Sequence, residues 1–273
     1  SHAYKATPIH KIGTQAAIND AFQFAFFHWG IHAWAVYSIV ALVFAYFNFH
    51  KGYPGLVSAT LVPIFGEKRM RGPIGSAIDV LAVIATVTGV AATLGFGALQ
   101  INEGLHYLFK VPSHFGTQVI IIIIATILFS WSAWSGIDKG IKTLSNINMI
   151  LAFIVLIGLF LVGPTLYILN TFTNGLGNYI FNFFSMSLRI PMDGGAKFQW
   201  VQNWTIFYWA WWVSWAPFVG IFIARVSRGR TIKEFILGVL FAPALVSFFF
   251  FAVFGGAAVY LQHSGIANIA KEA

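Results

Sequence analysis

Residues 235–254 read FILGVLFAPALVSFFFFAVF. No charge interrupts them, and apolar side chains do not alternate with polar ones. A membrane-spanning strand would alternate over about ten residues, and a helix on a soluble surface would keep a polar face; this stretch does neither. At 1.5 Å per residue its 20 residues reach about 30 Å as a helix, the thickness of a bilayer's hydrocarbon core. Inside that core only a helix satisfies its own backbone hydrogen bonds within one segment. The stretch is read as a transmembrane helix.

The same pattern recurs outward along the chain, for instance in IIIIIATILFSW at 120–131. Six long apolar segments fall at roughly 25–48, 78–105, 117–136, 145–168, 204–225 and 232–262. With 58% of residues hydrophobic and 9% charged, the chain reads as an all-α integral membrane protein. No short-period repeat or low-complexity linker divides it, so residues 1–273 are taken as a single transmembrane domain. The sequence opens SHAYK without methionine and stops at NIAKEA, which suggests a piece of a longer chain. A charged n-region leading into an apolar core is missing, so no cleavable signal peptide is expected. With no cysteine, disulfide and thiolate chemistry are excluded for these residues.

Charge gives an orientation. Of the 16 Lys and Arg, Lys51, Lys68, Arg69, Arg71, Lys139, Lys142, Arg225, Arg228, Arg230 and Lys233 lie in three connections, which are expected to be cytoplasmic. Six crossings then place both ends outside. The net charge of +8 reports this orientation and contact with anionic lipid, and it does not argue for nucleic acid. Between the fourth and fifth segments, GLGNYIFNFFSMSLRI (175–190) is too short to span. Ile180, Phe183, Phe184 and Leu188 recur at three- and four-residue steps, so an amphipathic helix is expected in the outer interface or against a neighbouring subunit.

In the second segment Ala82, Ala85, Gly89 and Ala92 share a face that permits close helix packing. Thr86, Thr88 and Thr93 either offer hydroxyls to a small cation or bond back to their own helix. Gly95 and Gly97 mark a flexible or close-packed point, since no strand precedes them and no basic residue follows, as a phosphate loop would need. In the first segment, Trp29, Trp34 and Tyr37 would lie within an arc of about 140° on one continuous helix. His28 and His32, at i and i+4, have metal-ligand spacing, but no nearby Asp, Glu or Cys completes a set, and hydrogen-bonded histidines are the preferred reading.

The cores of the six segments hold essentially no Asp, Glu, Lys or Arg. A hydrolase, a proton pump or a carboxylate cation site would normally place one there. What these cores hold instead is aromatic: residues 204–230 read WTIFYWAWWVSWAPFVGIFIARVSRGR, with five tryptophans in the first twelve positions. An aromatic belt at the interface accounts for any single tryptophan, and Trp204 is placed there. Two helices that both concentrate indole and phenol rings fit a different purpose, a cage for a quaternary ammonium. Each desolvated cation–π contact is worth up to ~2 kcal/mol, so several rings offset the desolvation of a cation without any buried carboxylate.

WTIFYWAWWVSWAPFVGIFIARVSRGRTIKEF resembles the signature of the betaine/choline/carnitine transporter family, and FHWGIHAWAVYSIV resembles its FHW-x-x-H-x-W-x-x-Y helix. The likeness extends to VGPTLYILN and LSNINMILA. It implies a secondary transporter of the five-plus-five inverted-repeat fold, of which this chain covers about spans four to nine, and a multi-pass protein of the plasma membrane, here the bacterial inner membrane. It further implies import of a trimethylammonium osmolyte, glycine betaine or choline, and assembly as a homotrimer. No enzymatic activity, cofactor or metal is implied; sodium or a proton would be the coupling ion. Carried over by motif, the aromatic box falls on Trp29, Trp34, Tyr37 and Trp212, with Phe207, Trp211 and Trp215 as further contacts along the path. SWAPFVG is similar to sodium-coupled betaine carriers. Such carriers place two threonines a turn apart in the small-residue helix, where this chain has Thr86 and Val90, so the resemblance leaves only Thr86 and the backbone around Phe218 as ion ligands. The competing reading is a membrane-embedded subunit or enzyme whose aromatic helices merely pack.

Overall fold

The computed structural model describes residues 9–11, 13–134, 142–190 and 194–269. Every regular element among them is helical: α1 (Gln15–Trp29), α2 (Ile31–Ala45), the short α3 (Val57–Thr60), α4 (Val62–Phe65) and α5 (Glu67–Met70), then α6 (Pro73–Phe109) and α7 (Phe115–Trp134). There follow α8 (Lys142–Val162), α9 (Thr165–Phe181), α10 (Phe183–Ser187), α11 (Ala196–Trp200), α12 (Phe207–Val226) and α13 (Ile232–His263). π-Helical turns at Tyr46–His50 and Val201–Ile206 extend α2 and precede α12. Six helical stretches are long and apolar enough to cross a membrane: Gln15–His50, Pro73–Phe109, Phe115–Ser132, Lys142–Val162, Ala196–Val226 and Ile232–His263. They coincide with the six expected segments but run longer at most ends. Part of the basic connection expected at 135–146 lies outside the described residues.

The chain divides into two compact units, residues 1–82 with 156–273, and residues 83–155. In the first, Thr14 caps α1 by accepting a hydrogen bond from the Ala17 amide at 3.2 Å. The apolar run that reads as one helix is interrupted: Gly30 leaves helical geometry at φ −96°, ψ −141°, and α2 begins after it. A side chain is impossible there without movement, because a Cβ on Gly30 would lie 2.3 Å from the Phe248 ring of α13 and 2.4 Å from the Phe26 carbonyl oxygen. Helix α8 ends at Gly163–Pro164, earlier than the apolar run suggests, since proline cannot continue the ladder of hydrogen bonds.

The most extensive pairing in this unit is α2 with α12. One stripe of α12, Trp212, Ala216, Gly220 and Ala224, repeats every four residues and is buried. It meets Ala33, Tyr37, Ala41 and Phe44 on α2. A Cβ on Gly220 would lie 2.7 Å from Val40 and 3.3 Å from the Ala41 amide nitrogen, so the small residues let the two backbones approach. Gly220→Leu should therefore cost about 1–3 kcal/mol through overpacking. Its expected outcome is a lower melting temperature and less folded full-length protein; unchanged melting would mean that the two helices do not pack this closely.

The amphipathic helix expected at 175–190 is real but begins ten residues earlier, at Thr165, and breaks at Asn182 before α10. Ile168, Gly175 and Tyr179 are buried, and α9 packs on α1 and α13. Of the four residues that carried the expectation, Ile180, Phe184 and Leu188 are the exposed apolar face, whereas Phe183 is half-buried against the bundle. The helix thus has two working faces, and the one seated on the bundle is built around a glycine and a tyrosine that a hydrophobic count does not pick out.

In the second unit, α7 has no buried residue among those described. Its apolar circumference is suited to lipid or to helices of a longer chain. The Thr88 hydroxyl donates to the Ile84 carbonyl and that of Thr93 to the Gly89 carbonyl, both at 2.9 Å, as mid-helix threonines commonly do. Gly95 and Gly97 have open space where a Cβ would stand, so neither is a close-packing point among the described residues. Asn102 donates to the Pro112 carbonyl at 3.2 Å, and Ser113 donates to Glu103, closing the turn between α6 and α7.

Candidate functional site

The stripe that brings α12 onto α2 ends at Trp212. Because Trp212 stands one turn before Ala216 on the same face, its indole is directed at α2 beside Tyr37, and it is largely buried. Its Nε1–H donates to the His28 carbonyl at 3.0 Å. That acceptor is available because α1 stops at Trp29, and the carbonyls of a helix's last turn have no partner within the helix. The break at Gly30 and the orientation of Trp212 are therefore linked.

Around Trp212 the other three box residues converge. Its ring centroid lies 5.0 Å from Tyr37, 5.3 Å from Trp29 and 6.1 Å from Trp34. Trp34 and Tyr37 lie 5.7 Å apart. Most of these contacts are edge to face, the arrangement favoured by aromatic quadrupoles. The arc computed for a continuous helix does not apply, since Trp29 ends α1 while Trp34 and Tyr37 belong to α2. The rings meet through tertiary packing. Trp34 Nε1 is buried with no hydrogen-bond partner among the described residues, an uncommon state for an indole N–H.

The remaining candidates are less central. Trp211 touches Trp29 at 5.7 Å. Phe207 lies one ring further out, pairing with Trp211 at 6.2 Å and with Tyr208 at 5.7 Å, and Trp215 pairs with Phe218 at 6.1 Å. Two contacts of Trp29 were not anticipated: Tyr208 at 5.7 Å and Phe251 of α13 at 5.5 Å. Tyr208 carried a signal, since it precedes Trp212 by one helical turn; Phe251 carried none. Trp204, expected at the interface, is half-buried and stacks on Tyr208 at 6.3 Å. Thr86 lies in the second unit, on α6, and Phe218 in the first, where it is exposed.

The two histidines serve as hydrogen-bonded structural groups. His28 Nε2 is 3.0 Å from the Thr205 hydroxyl, and its ring stacks on Tyr208 at 4.9 Å. His32 sits between hydroxyls, with Nδ1 2.9 Å from Tyr179 Oη and Nε2 2.6 Å from Ser187 Oγ. Ser187 already donates to the Phe183 carbonyl at 2.6 Å, so it accepts from Nε2–H and Tyr179 donates to Nδ1. Burial pushes the Tyr179 phenol above its ordinary pKa, which keeps that donor proton in place. Among the described residues no group of His, Asp or Glu has the arrangement of a metal site.

The sequence pattern of the BCCT family, the betaine/carnitine/choline family transporters, matches residues 1–273. The chain belongs to this family. Among its BCCT relatives, the glycine betaine transporter OpuD of Bacillus subtilis (strain 168) is 55% identical over 271 residues, 99% of this chain and 53% of the relative. The ectoine/hydroxyectoine transporter of Virgibacillus pantothenticus is 47% identical over 262 residues, 95% of this chain and 51% of the relative. A probable glycine betaine transporter of Desulfitobacterium hafniense (strain Y51) is 43% identical over 259 residues, with 95% and 51% coverage. The chain spans about half the length of these relatives. BCCT membership and the six apolar helices together identify a multi-pass membrane protein.

Proposed function

We propose that the full protein imports a zwitterionic quaternary-ammonium osmolyte, glycine betaine first among them, by alternating access, and that Trp29, Trp34, Tyr37 and Trp212 form its cation–π cage. The observation that carries this reading is the convergence of three rings from α1 and α2 on Trp212 at centroid distances of 5.0–6.1 Å. A trimethylammonium group donates no strong hydrogen bond and is held by ring faces. It does not fit between rings already in contact, so loading requires the Trp212 side of the box to part from α2, and this couples occupancy to a movement of α12 against its neighbour. The unpaired Trp34 Nε1–H gives the cage one donor suited to a ligand carboxylate, which favours betaine over choline. A cyclic amidinium carboxylate such as ectoine, named for the relative in Virgibacillus pantothenticus, also joins a cation to a carboxylate but brings N–H donors that need acceptors, and it is the second candidate. Neither the box nor α12 offers a catalytic carboxylate, and the role proposed here is transport, in a homotrimer.

Saturable quenching or enhancement of tryptophan emission on titrating the full-length protein with glycine betaine would support the reading. The absence of any saturable change across sodium concentrations would favour a protein whose aromatic helices only pack.

Coupling is proposed to use sodium at reduced stoichiometry. Sodium requires several oxygen ligands, and Val90 supplies none a turn beyond Thr86, while the Thr88 hydroxyl is engaged with the Ile84 carbonyl. Val90→Thr in the full-length protein should steepen the sodium dependence of betaine uptake, and Thr86→Ala should change it little. If Thr86→Ala and Thr88→Ala each abolish sodium-dependent uptake at unchanged expression, this helix holds an ion and the proposal is wrong.

A further inference from the structure

Where α2 enters the π-helical turn Tyr46–His50, and α12 turns back into α13, the first unit holds an open groove of about 610 Å³. Its floor is apolar, with Leu42, Val43, Phe47, Ile232 and Phe235 among its lining. Its rim is basic. Gly229, at φ 85°, makes the tight reversal between α12 and α13, and Arg228 and Arg230 on either side of it both line the groove. The Arg228 guanidinium lies over the Phe49 ring at 5.5 Å, and the Lys51 ammonium lies over the Tyr46 ring at 5.7 Å. Among the described residues no Asp or Glu lines the groove. The nearest carboxylate in sequence, Glu234, is committed to the α13 cap, accepting from the Thr231 amide at 2.9 Å.

We propose that this groove binds an anionic phospholipid of the cytoplasmic leaflet, with an acyl chain along Val43, Phe47 and Ile232 and the phosphate on Arg228 and Arg230. Three spans end here, so the groove lies where acyl chains give way to headgroups, and the excess of Lys and Arg puts that end on the cytoplasmic side. A soluble anion has no use for an apolar floor of this size. A phosphatidylcholine brings its own cation to a rim that has guanidinium groups and no carboxylate, whereas an anionic headgroup complements that rim. The inference needs only the membrane setting and holds whether or not the aromatic box carries betaine.

The test uses the purified full-length protein and measures binding of phosphatidylglycerol and phosphatidylcholine of matched chains by native mass spectrometry. Phosphatidylglycerol should bind about tenfold or more tightly. Arg228→Gln/Arg230→Gln should erase the difference, and Arg228→Lys/Arg230→Lys should retain it, which separates loss of charge from misfolding. A photo-crosslinking residue at Val43, in phosphatidylglycerol vesicles, should yield a lipid adduct. Equal affinity for the two lipids, a preference that survives the glutamine pair, or a crosslink from position 43 to a part of the polypeptide outside residues 1–273 would overturn the proposal. The last result would mean that a segment outside residues 1–273 fills the groove.

Discussion

Replacing Trp212 with leucine in the full-length protein is expected to weaken glycine betaine binding by about tenfold or more, in line with the loss of one desolvated cation–π contact at ~2 kcal/mol. The leucine keeps α12 apolar but removes the ring that touches Trp29, Trp34 and Tyr37, and it leaves the His28 carbonyl without its indole donor. That second loss should lower stability by about 1–3 kcal/mol, so the melting temperature must be followed alongside affinity. Trp212→Phe separates the effects, because it restores a ring face without the N–H and should recover part of the affinity while remaining less stable than the parent. Trp131→Leu is the control, since Trp131 is 72% exposed on α7 and belongs to the other compact unit. Similar mild effects at positions 212 and 131 would remove Trp212 from the binding site.

Gly30→Ala should have the other large effect, from a single added methyl. The new Cβ would stand 2.3 Å from the Phe248 ring and 2.4 Å from the Phe26 carbonyl oxygen, both far inside contact distance. Either α13 is pushed away, or α1 and α2 rejoin as one helix. In the second case the His28 carbonyl returns to the helix ladder, and Trp212 loses the acceptor that fixes it. Both outcomes disturb the box, so betaine uptake should fall at least as far as in Trp212→Leu, with reduced folded yield. Phe248→Leu added to Gly30→Ala relieves the ring contact but not the carbonyl contact. It should therefore restore folding more than uptake. Gly30→Ala with unchanged betaine affinity would show that the interruption between α1 and α2 does not set the geometry of the cage.

These two residues also mark how far the sequence could be read. The membrane helices were legible because stretches such as 120–131 and 235–254 leave a bilayer no other backbone solution. Trp29, Trp34 and Tyr37 stood out as rings where leucine would suffice, whereas Trp212 was singled out by the family resemblance, and the role of the four as a cage is the proposal. The interruption at Gly30 was not legible, since FFHWGIHAW is as compatible with a continuous helix as with two, and a lone glycine costs a helix only about 1 kcal/mol. What decides it is Phe248, more than 200 residues away in the chain and 4.6 Å from Phe26 between ring centroids. The π-helical turn at Val201–Ile206 likewise leaves no mark in VQNWTI. The buried face of α9 was missed for a related reason, because Gly175 and Tyr179 count weakly in any hydrophobic pattern yet sit against Phe22, Phe26 and Phe248. Tyr208 could have been found: it stands in the row of α12 that continues through Trp212 and Ala216.

The central claim is that ring faces hold a positive charge, and it is tested most directly by removing the charge from the ligand while keeping its shape. 3,3-Dimethylbutanoate has the carboxylate and the branched head of glycine betaine, with carbon in place of the quaternary nitrogen. Calorimetric titration of the full-length protein should give saturable binding of glycine betaine and at least about tenfold weaker binding of the carbon analogue, since every cation–π contact is lost while apolar burial is preserved. Equal affinity for the two would show that the box recognises shape and carboxylate alone, and would contradict the account.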